Sequence, residues 1–585
     1  MRRIDRILRP SAALCLLLPA ALAFNGGCTA RLSGNGPSGL EPKPDVAHAG
    51  GGAGGGASSG PSVIDQEQAQ KNPDLYTIAS GYFPNTATAD AKKRVSRLTR
   101  SQLDNTTRAL LPKHYSTSAV ASVPADPLQT NYEYAENLGF NAANFTPYTS
   151  WVTQIASSVR SNPADVISCA GNSPSCLSEQ ARPFVKKAFR GAVSDATLAH
   201  FDEFFQASVG QVGIAAATAD LVDVTLTSPS YVFRDEVQTN GAGVLAAAQL
   251  LQNISYTLAD SPPEAVGLSS LAPGAAVQTA SDVQRTVDHV LSTAEARAKL
   301  LKFFVSWLEV KEPDEFTIAT SAFPEFTPEV AGAVVTETKQ FLQHQLGSAA
   351  PKLKDLTEST QSFVQDSMAF IYGLKGANGS ASAPVDLDPS QRLGVFTLPG
   401  VLASHSGPTT TRLVKRGVFF TRKVMCLKLG NPPAGTDTTL PMTMGASERQ
   451  RVEGVTNKAP CSGCHTFINP FGFVLENYDA IGRWRTTDQG IPIDPSISVG
   501  FLGTSQFSAG SPVEALKGFT RSTLFQQCFA RQLFRFYLGR DETSEDDPLL
   551  RQMFFDFANQ DQQDILGMLR TLAGSSALSR RLEAP

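Results

Sequence analysis

The chain has 585 residues, 42% of them hydrophobic and 18% charged, with a formal net charge of −4. At roughly 100–200 residues per domain, that is sequence for several domains and a sizeable core. The balanced charge excludes a dedicated nucleic-acid binder, whose phosphate contacts need a strongly basic face.

The first element is an export signal. "MRRIDRILRP" supplies Arg2, Arg3, Arg6 and Arg9, and "SAALCLLLPAALAF" follows as an apolar run of signal-peptide length, too short to span a bilayer. Ala21-Leu22-Ala23 would serve ordinary secretion. "NGGC" instead ends in Cys28 like a bacterial lipobox, although Asn25 stands where an apolar residue is usual. Residues 29–64 hold "GNGPSG" and "AGGGAGGGASSGPS", a Gly/Ser-rich tether that cannot bury a core. A lipid on Cys28 followed by such a tether would let the folded body stand off a membrane. The expectation is therefore a signal peptide of lipoprotein type over 1–28. The protein would be exported to the periplasm or outer membrane and held there through Cys28.

The fold expected beyond the tether is mainly α, a multi-helical body with a loop-rich region near the C-terminus. Over 65–379, "KKRVSRLTRSQLDNTTRALL" reads as an amphipathic helix or helix pair carrying Val95, Leu98, Leu103 and Leu110. Ser194-Asp195 can cap a helix with Leu198, Phe201, Phe204 and Phe205. "VGIAAATADLVDVTLTSPSYVFRDEV" reads as a buried helix broken at "TSPS". "RTVDHVLSTAEARAKLLKFFVSWLEV" and "GAVVTETKQFLQHQLG" read as two further amphipathic helices. No fixed-period repeat is visible. A loop-rich region spans 380–505, and "QGIPIDPSISVGFLG" within it suits a short hairpin. Over 506–585 helix returns: Phe525, Phe529, Leu533 and Phe536 share a face, with Gly539 as a C-terminal cap.

Of eight cysteines, Cys15 lies in the signal segment and Cys28 is the lipidation candidate. Unpaired thiols are uncommon in an oxidising compartment. If Cys461 and Cys464 hold a cofactor, Cys169–Cys176 can bridge locally and Cys426–Cys528 over a long distance. The alternative for Cys426 and Cys528 is that they are simply buried apolar residues.

"APCSGCHTFINPFGFVLENYDAIGRWR" carries the chemistry. Cys461, Cys464 and His465 form C-x-x-C-H, the spacing of covalent haem c: two thiols a helical turn apart for the vinyl groups, and an imidazole for the iron. Pro460 would help start that helix and Asn469-Pro470 would end it. A backbone carbonyl in that turn would fix the tautomer of His465. Arg483, Trp484 and Arg485 could hold propionates, or be ordinary surface side chains. A second iron ligand could come from Met442 or Met444, with His405 a weaker candidate, and only Met553 and Met568 follow the motif. An open position would instead suit peroxide or small-ligand chemistry. Two rival readings stand: a redox dithiol, for which no βαβ pattern is seen, and structural zinc, which would need a fourth ligand such as His405 or Cys426. No Ser-His-Asp constellation, phosphate-cradling Gly loop or diagnostic carboxylate pair is visible.

Together with "LTRSQLDNTTRALL", "LTSPSYVFRDEV", "VKRGVFFTRKVMCLKLGNPPAG" and "CFARQLFRFYLGRDE", the C-x-x-C-H…NP-GF-x-x-EN-x-DA-x-G-x-x-R string resembles a family of large exported bacterial proteins. These are built from consecutive domains of unknown function, associated with planctomycete-type cytochrome c and numerous in myxobacteria. The resemblance implies export, a mostly helical body and a haem-c-like motif at Cys461, Cys464 and His465. Many such proteins carry a histidine shortly before the first motif cysteine, near where this chain has Val455. The function expected is a cell-envelope c-type cytochrome-like protein with one haem c, serving electron transfer to a partner protein or a haem-dependent oxidoreductase. The alternative is a non-enzymatic envelope scaffold or binding lipoprotein whose C-x-x-C-H loop is stapled by a disulfide or zinc.

Overall fold

The computed structural model describes residues 63–582 apart from 88–90, 116–122, 130–131, 134–137, 170–172, 241, 269–276, 278, 377–382, 433–439, 442, 444, 503–505 and 560–562. The signal segment, Cys28, most of the tether, Met442 and Met444 therefore lie outside the described residues. What is described is mainly helical, and its strands form only two-stranded antiparallel pairs. No helix among the described residues is long and apolar enough to cross a membrane.

Side-chain caps set many of the helix starts, by giving orphan amides a partner. Ser194 accepts from the amide of Thr197 and opens Asp195–Val212, as its sequence suggests. The "TSPS" break falls between Ile214–Thr227 and Pro229–Val232, where Ser228 caps the second piece. Gly539 ends Thr523–Leu538 in the left-handed region at φ 65°, as a C-terminal glycine can. Gln489 and Gly490, both at positive φ, turn Thr487–Asp488 back onto Ile491–Pro492, so this hairpin begins two residues before the stretch expected to hold one.

Two expected helices are different. Residues 92–111 do not form helix throughout: Arg94–Arg97 is a strand paired with Phe233–Glu236, and the helix is Arg100–Leu110. Thr99 divides them, its capping box with Gln102 closing the helix start. The strand pairing places Arg94 on buried Glu236 and leaves Val95 exposed. The stretch 285–310 is not one helix either, because Thr293 caps a second, Ala294–Trp307, behind Ala280–Leu291.

One core joins Arg100–Leu110, Ala142–Ser161, Pro174–Ala188 and Ile214–Thr227 around Trp151 and Tyr148. The largest core centres on Trp307. Its ring stacks parallel to Phe303 and meets Phe396, Phe525 and Phe529 edge-on or tilted, while its Nε1 donates to the carbonyl of Lys423 at 2.8 Å. Ala294–Trp307, Thr523–Leu538 and the turn Phe420–Val424 are thereby fixed to one another. Cys426–Cys528 is a disulfide at the same junction, and Cys169–Cys176 is a disulfide in the first half of the chain.

Candidate functional site

The C-x-x-C-H helix is positioned by glycines. Ser462–Phe473 crosses Leu413–Phe419 so closely that a Cβ at Gly417 would stand 2.3 Å from the carbonyl oxygen of Ile468. A Cβ at Gly472 would stand 2.3 Å from that of Leu413. Main chain thus packs on main chain at both ends of the crossing, and only glycine permits it. The packing carries the helix past Asn469-Pro470, its expected end, to Phe473 with Pro470 inside it.

Beyond that helix, the "EN-x-DA-x-G-x-x-R" string builds a loop whose carbonyls are gathered by two buried arginines. Arg416 donates to the carbonyls of Leu475, Tyr478 and Asp479, and Arg392 to that of Gly482. The Asp479 carboxylate accepts from the amides of Ile481 and Arg483. The guanidinium of Arg483 bonds Asp479 and Glu325, and that of Arg485 bonds Asp488 and Thr411. Trp484 packs edge-on against Tyr478. The guanidinia of Arg483 and Arg485, considered for propionates, are engaged in these ion pairs and hydrogen bonds.

Cys461 and Cys464 are free thiols, half-buried, one helical turn apart. The amide of His465 donates to the carbonyl of Cys461 at 3.1 Å. The partner of the His465 ring is not a backbone carbonyl, as expected, but a side chain: Nδ1 lies 2.7 Å from Oδ1 of Asn469. Asn469 Nδ2 donates to the Thr456 hydroxyl at 2.9 Å, and that hydroxyl donates to the carbonyl of Val452 at 2.7 Å.

His465 lines a cleft of about 280 Å³ whose walls include Arg449, Asn469, Pro470, Phe473 and Ile497. Neither cysteine is in that lining; the thiols sit at the start of the helix. Arg449 lies over the Phe473 ring at 4.7 Å and donates to Glu453 and to the carbonyls of Asp494 and Ser496. Two carboxylates fix its helix, Glu448–Thr456. Asp488 accepts from the amide of Glu448, and Glu476 from that of Arg449, the favourable end of the helix for negative charge. Burial nevertheless pushes the Glu476 carboxyl up to about 7.

The donor set fits the covalent group its motif implies: two free thiols a turn apart beside an imidazole whose Nδ1 is already engaged, leaving Nε2 for a metal. The ligands that the zinc reading needs are used elsewhere. Cys426 is in its disulfide. His405 is buried, stacked on Phe419 at 3.9 Å, with Nε2 on the carbonyl of Leu308, and burial pushes its pKa down to about 3. Among the described residues no group of three or more His, Cys, Asp or Glu is placed to hold a metal ion. Met553 and Met568 are buried in the Trp307 core. The sequence does not single out Thr456 or Arg449, and it offers Asn469 only as a helix end; its role beside His465 had a readable signal, the i+4 spacing on a helix.

Comparison with known families adds two segments. Residues 392–488 match the family model PSCyt3, described as a protein of unknown function (DUF1588). Residues 245–374 match PSD4, described as a protein of unknown function (DUF1592). No curated protein and no solved structure matches the chain. The chain thus carries two consecutive domains of unknown function, and the second contains Cys461, Cys464, His465 and Asn469.

Proposed function

We propose that the protein is a cell-envelope c-type cytochrome-like protein with one covalent haem, working in electron transfer or as the haem-bearing component of an oxidoreductase. The observation that carries this reading is the free thiol pair Cys461 and Cys464 beside a His465 ring held by Asn469. Cys461 and Cys464 would be the thioether anchors and His465 the iron ligand through Nε2. The haem, when bound, supplies one-electron chemistry at its iron. The chain's own part is to hold the imidazole. Asn469 keeps the proton on Nδ1 and the ring in one orientation, Thr456 fixes Asn469, and the glycine crossing fixes the helix beneath both. Met442 or Met444 is proposed as the second ligand. Export with a lipid on Cys28, and a redox partner protein, belong to the same proposal.

The test is expression of the full chain with a haem-ligation system, followed by a pyridine haemochrome spectrum and an intact mass. A covalent haem is expected, and it should be lost when Cys461 and Cys464 are both replaced by alanine. An unshifted mass with no Soret band would overturn the proposal. Carbon monoxide added to the reduced protein reports whether a methionine closes the sixth position. A Cys28→Ala variant that still partitions with membranes would sink the lipid anchor.

A further inference from the structure

The cleft beside His465 lies on one side of its helix. At 3.6 residues per turn, Cys461 and Cys464 fall to one side of His465 around Ser462–Phe473, and Ser462, Thr466, Asn469 and Phe473 fall to the other. The second set lines the cleft, and the helix Glu448–Thr456 and the strand Ile497–Val499 contribute the facing walls. The volume of about 280 Å³ falls short of the ~300–1,000 Å³ of pockets that enclose a whole small ligand. It suits one part of a larger group.

The lining holds donors that the fold leaves unused. Arg449 is largely buried, with its guanidinium over the Phe473 ring. It spends Nε on Glu453 and Nη1 on the carbonyls of Asp494 and Ser496, and its Nη2 has no hydrogen-bond partner among the described residues. The hydroxyl of Ser462 and the side-chain amide of Asn457 likewise have none there, whereas the hydroxyl of Thr466 donates to the carbonyl of Ser462. No acidic residue is among the described residues of the lining. Spare donors around a held guanidinium, with no carboxylate among them, match an anionic guest.

The covalent group of the proposed function has a part of that kind. In a haem the two pyrrole rings that take thioether bonds lie at one edge and the two that bear propionates at the other, with the iron between. Thiols on one side of His465 therefore send the propionates to the other, where the cleft opens.

We propose that this cleft receives the haem propionates, with Arg449 as their charge partner through Nη2 and Ser462 and Asn457 as further donors. The proposal rests on the covalent-haem reading above. It gives Arg449 the part that the sequence suggests for Arg483 and Arg485, neither of which lines the cleft. An arginine already fixed by two carbonyls and an aromatic ring loses little freedom on meeting a carboxylate.

The test uses the full chain loaded with haem, as wild type, Arg449→Gln, Arg449→Lys and Ser462→Ala, read by resonance Raman spectroscopy and by redox titration at a single pH. A carboxylate held by charge-assisted hydrogen bonds resists bending. The propionate bending band should therefore drop in frequency in Arg449→Gln and, by less, in Ser462→Ala. The reduction potential should fall in Arg449→Gln, because a positive charge that opposes the oxidised iron is gone, and Arg449→Lys should restore it. Ser462→Ala removes a hydroxyl with no partner inside the described chain and should melt with the wild type, so its band reports the contact even where Arg449→Gln loosens the 494–496 stretch. Equal bands and potentials in all four loaded proteins would overturn this proposal and leave the covalent haem standing. A wild type that acquires no covalent haem would overturn both.

Discussion

Nδ1 of His465 and Oδ1 of Asn469 lie 2.7 Å apart across one helical turn. The direction of the proton follows from what Asn469 does next. Its Nδ2 donates to Thr456, whose hydroxyl is spent on the carbonyl of Val452, so Oδ1 is the amide's acceptor and Nδ1 of the ring must carry hydrogen. Nε2 is then the ring nitrogen left to meet a metal, as a histidine ligand requires.

Replacing Asn469 tests that chain of donors. Asn469→Asp keeps the acceptor but charges it, roughly doubling the strength of the bond, so the reduction potential of the haem-loaded protein should fall. Asn469→Leu removes the bond and should move the potential the other way, with a stability loss of about 1–3 kcal/mol from the partners left behind. Nitrogen chemical shifts of the His465 ring in the haem-free protein give a second readout. One tautomer should dominate in the wild type and a mixture in Asn469→Leu. Identical potentials and shifts in all three proteins would show that the contact does nothing to the ring.

That Cys461, Cys464 and His465 share the start of one helix was legible because their C-x-x-C-H spacing is local. Both disulfides were legible because few cysteines remained to pair, and helix starts such as Ser194 because a cap is a local event. Arg94–Arg97 was not legible as a strand, since its partner Phe233–Glu236 is far away in sequence and the local pattern of charges and apolar residues suits a helix as well. Gly417 and Gly472 look like helix breakers until the crossing that requires them is seen. Arg483 and Arg485 could have faced a ligand, and only the folded loop shows their charges spent on Asp479, Glu325 and Asp488.

The glycine crossing makes a steric prediction. Gly417→Ala and Gly472→Ala each place a methyl 2.3 Å from a carbonyl oxygen of the opposing main chain, so a backbone must move rather than a side chain. Each should cost about 1–3 kcal/mol, as overpacking does, seen as a lower melting temperature. Gly463→Ala, on the same helix with nothing within 4 Å of its added Cβ, is the control and should melt with the wild type or slightly above it, since alanine favours helix over glycine. Equal behaviour of all three would mean that the helices do not cross this tightly.

The two disulfides should differ in value. Cys426 and Cys528 are 102 residues apart, against 7 for Cys169 and Cys176. On the chain-entropy account, closing a loop of that greater length stabilises by about 4–5 kcal/mol and the shorter by about 2–3 kcal/mol. Removing Cys426 and Cys528 together as alanines should therefore lower the melting temperature more than removing the other pair, and reductant should destabilise the wild type more than the variant lacking Cys426–Cys528. The opposite ranking would place the stabilising strain or packing at the small loop.

Three buried carboxyls set opposing pH dependences. Burial raises the Glu236 carboxyl, but Arg234, Arg94 and Arg581 outweigh it and hold it at about 2, below its ordinary 4.5. Its folded value is depressed, so its contribution is complete above about pH 4.5 and is lost as pH falls toward 2. Glu337 is wholly buried, with one oxygen accepting from Ser362 and Tyr372 and the other unpaired, and burial pushes it up to about 7. Glu476 is pushed to about 7 in the same way. Between about 4.5 and 7 the folded chain holds protons on these two that the unfolded chain has released, so stability falls as pH rises through that window. On these three groups the melting temperature should peak near about pH 4.5, fall toward about pH 2 through Glu236, fall more between about pH 4.5 and 7 through Glu337 and Glu476 together, and level off above that. Glu337→Gln keeps the neutral shape at every pH. It should match the wild type near about pH 4.5 and exceed it at about pH 8, by up to about 3 kcal/mol, because each pH unit between the unfolded and folded pKa of a carboxyl is worth about 1.4 kcal/mol. A Glu337→Gln variant with the wild-type slope from about pH 5 to 8 would show that this carboxyl ionises in the fold as it does in water.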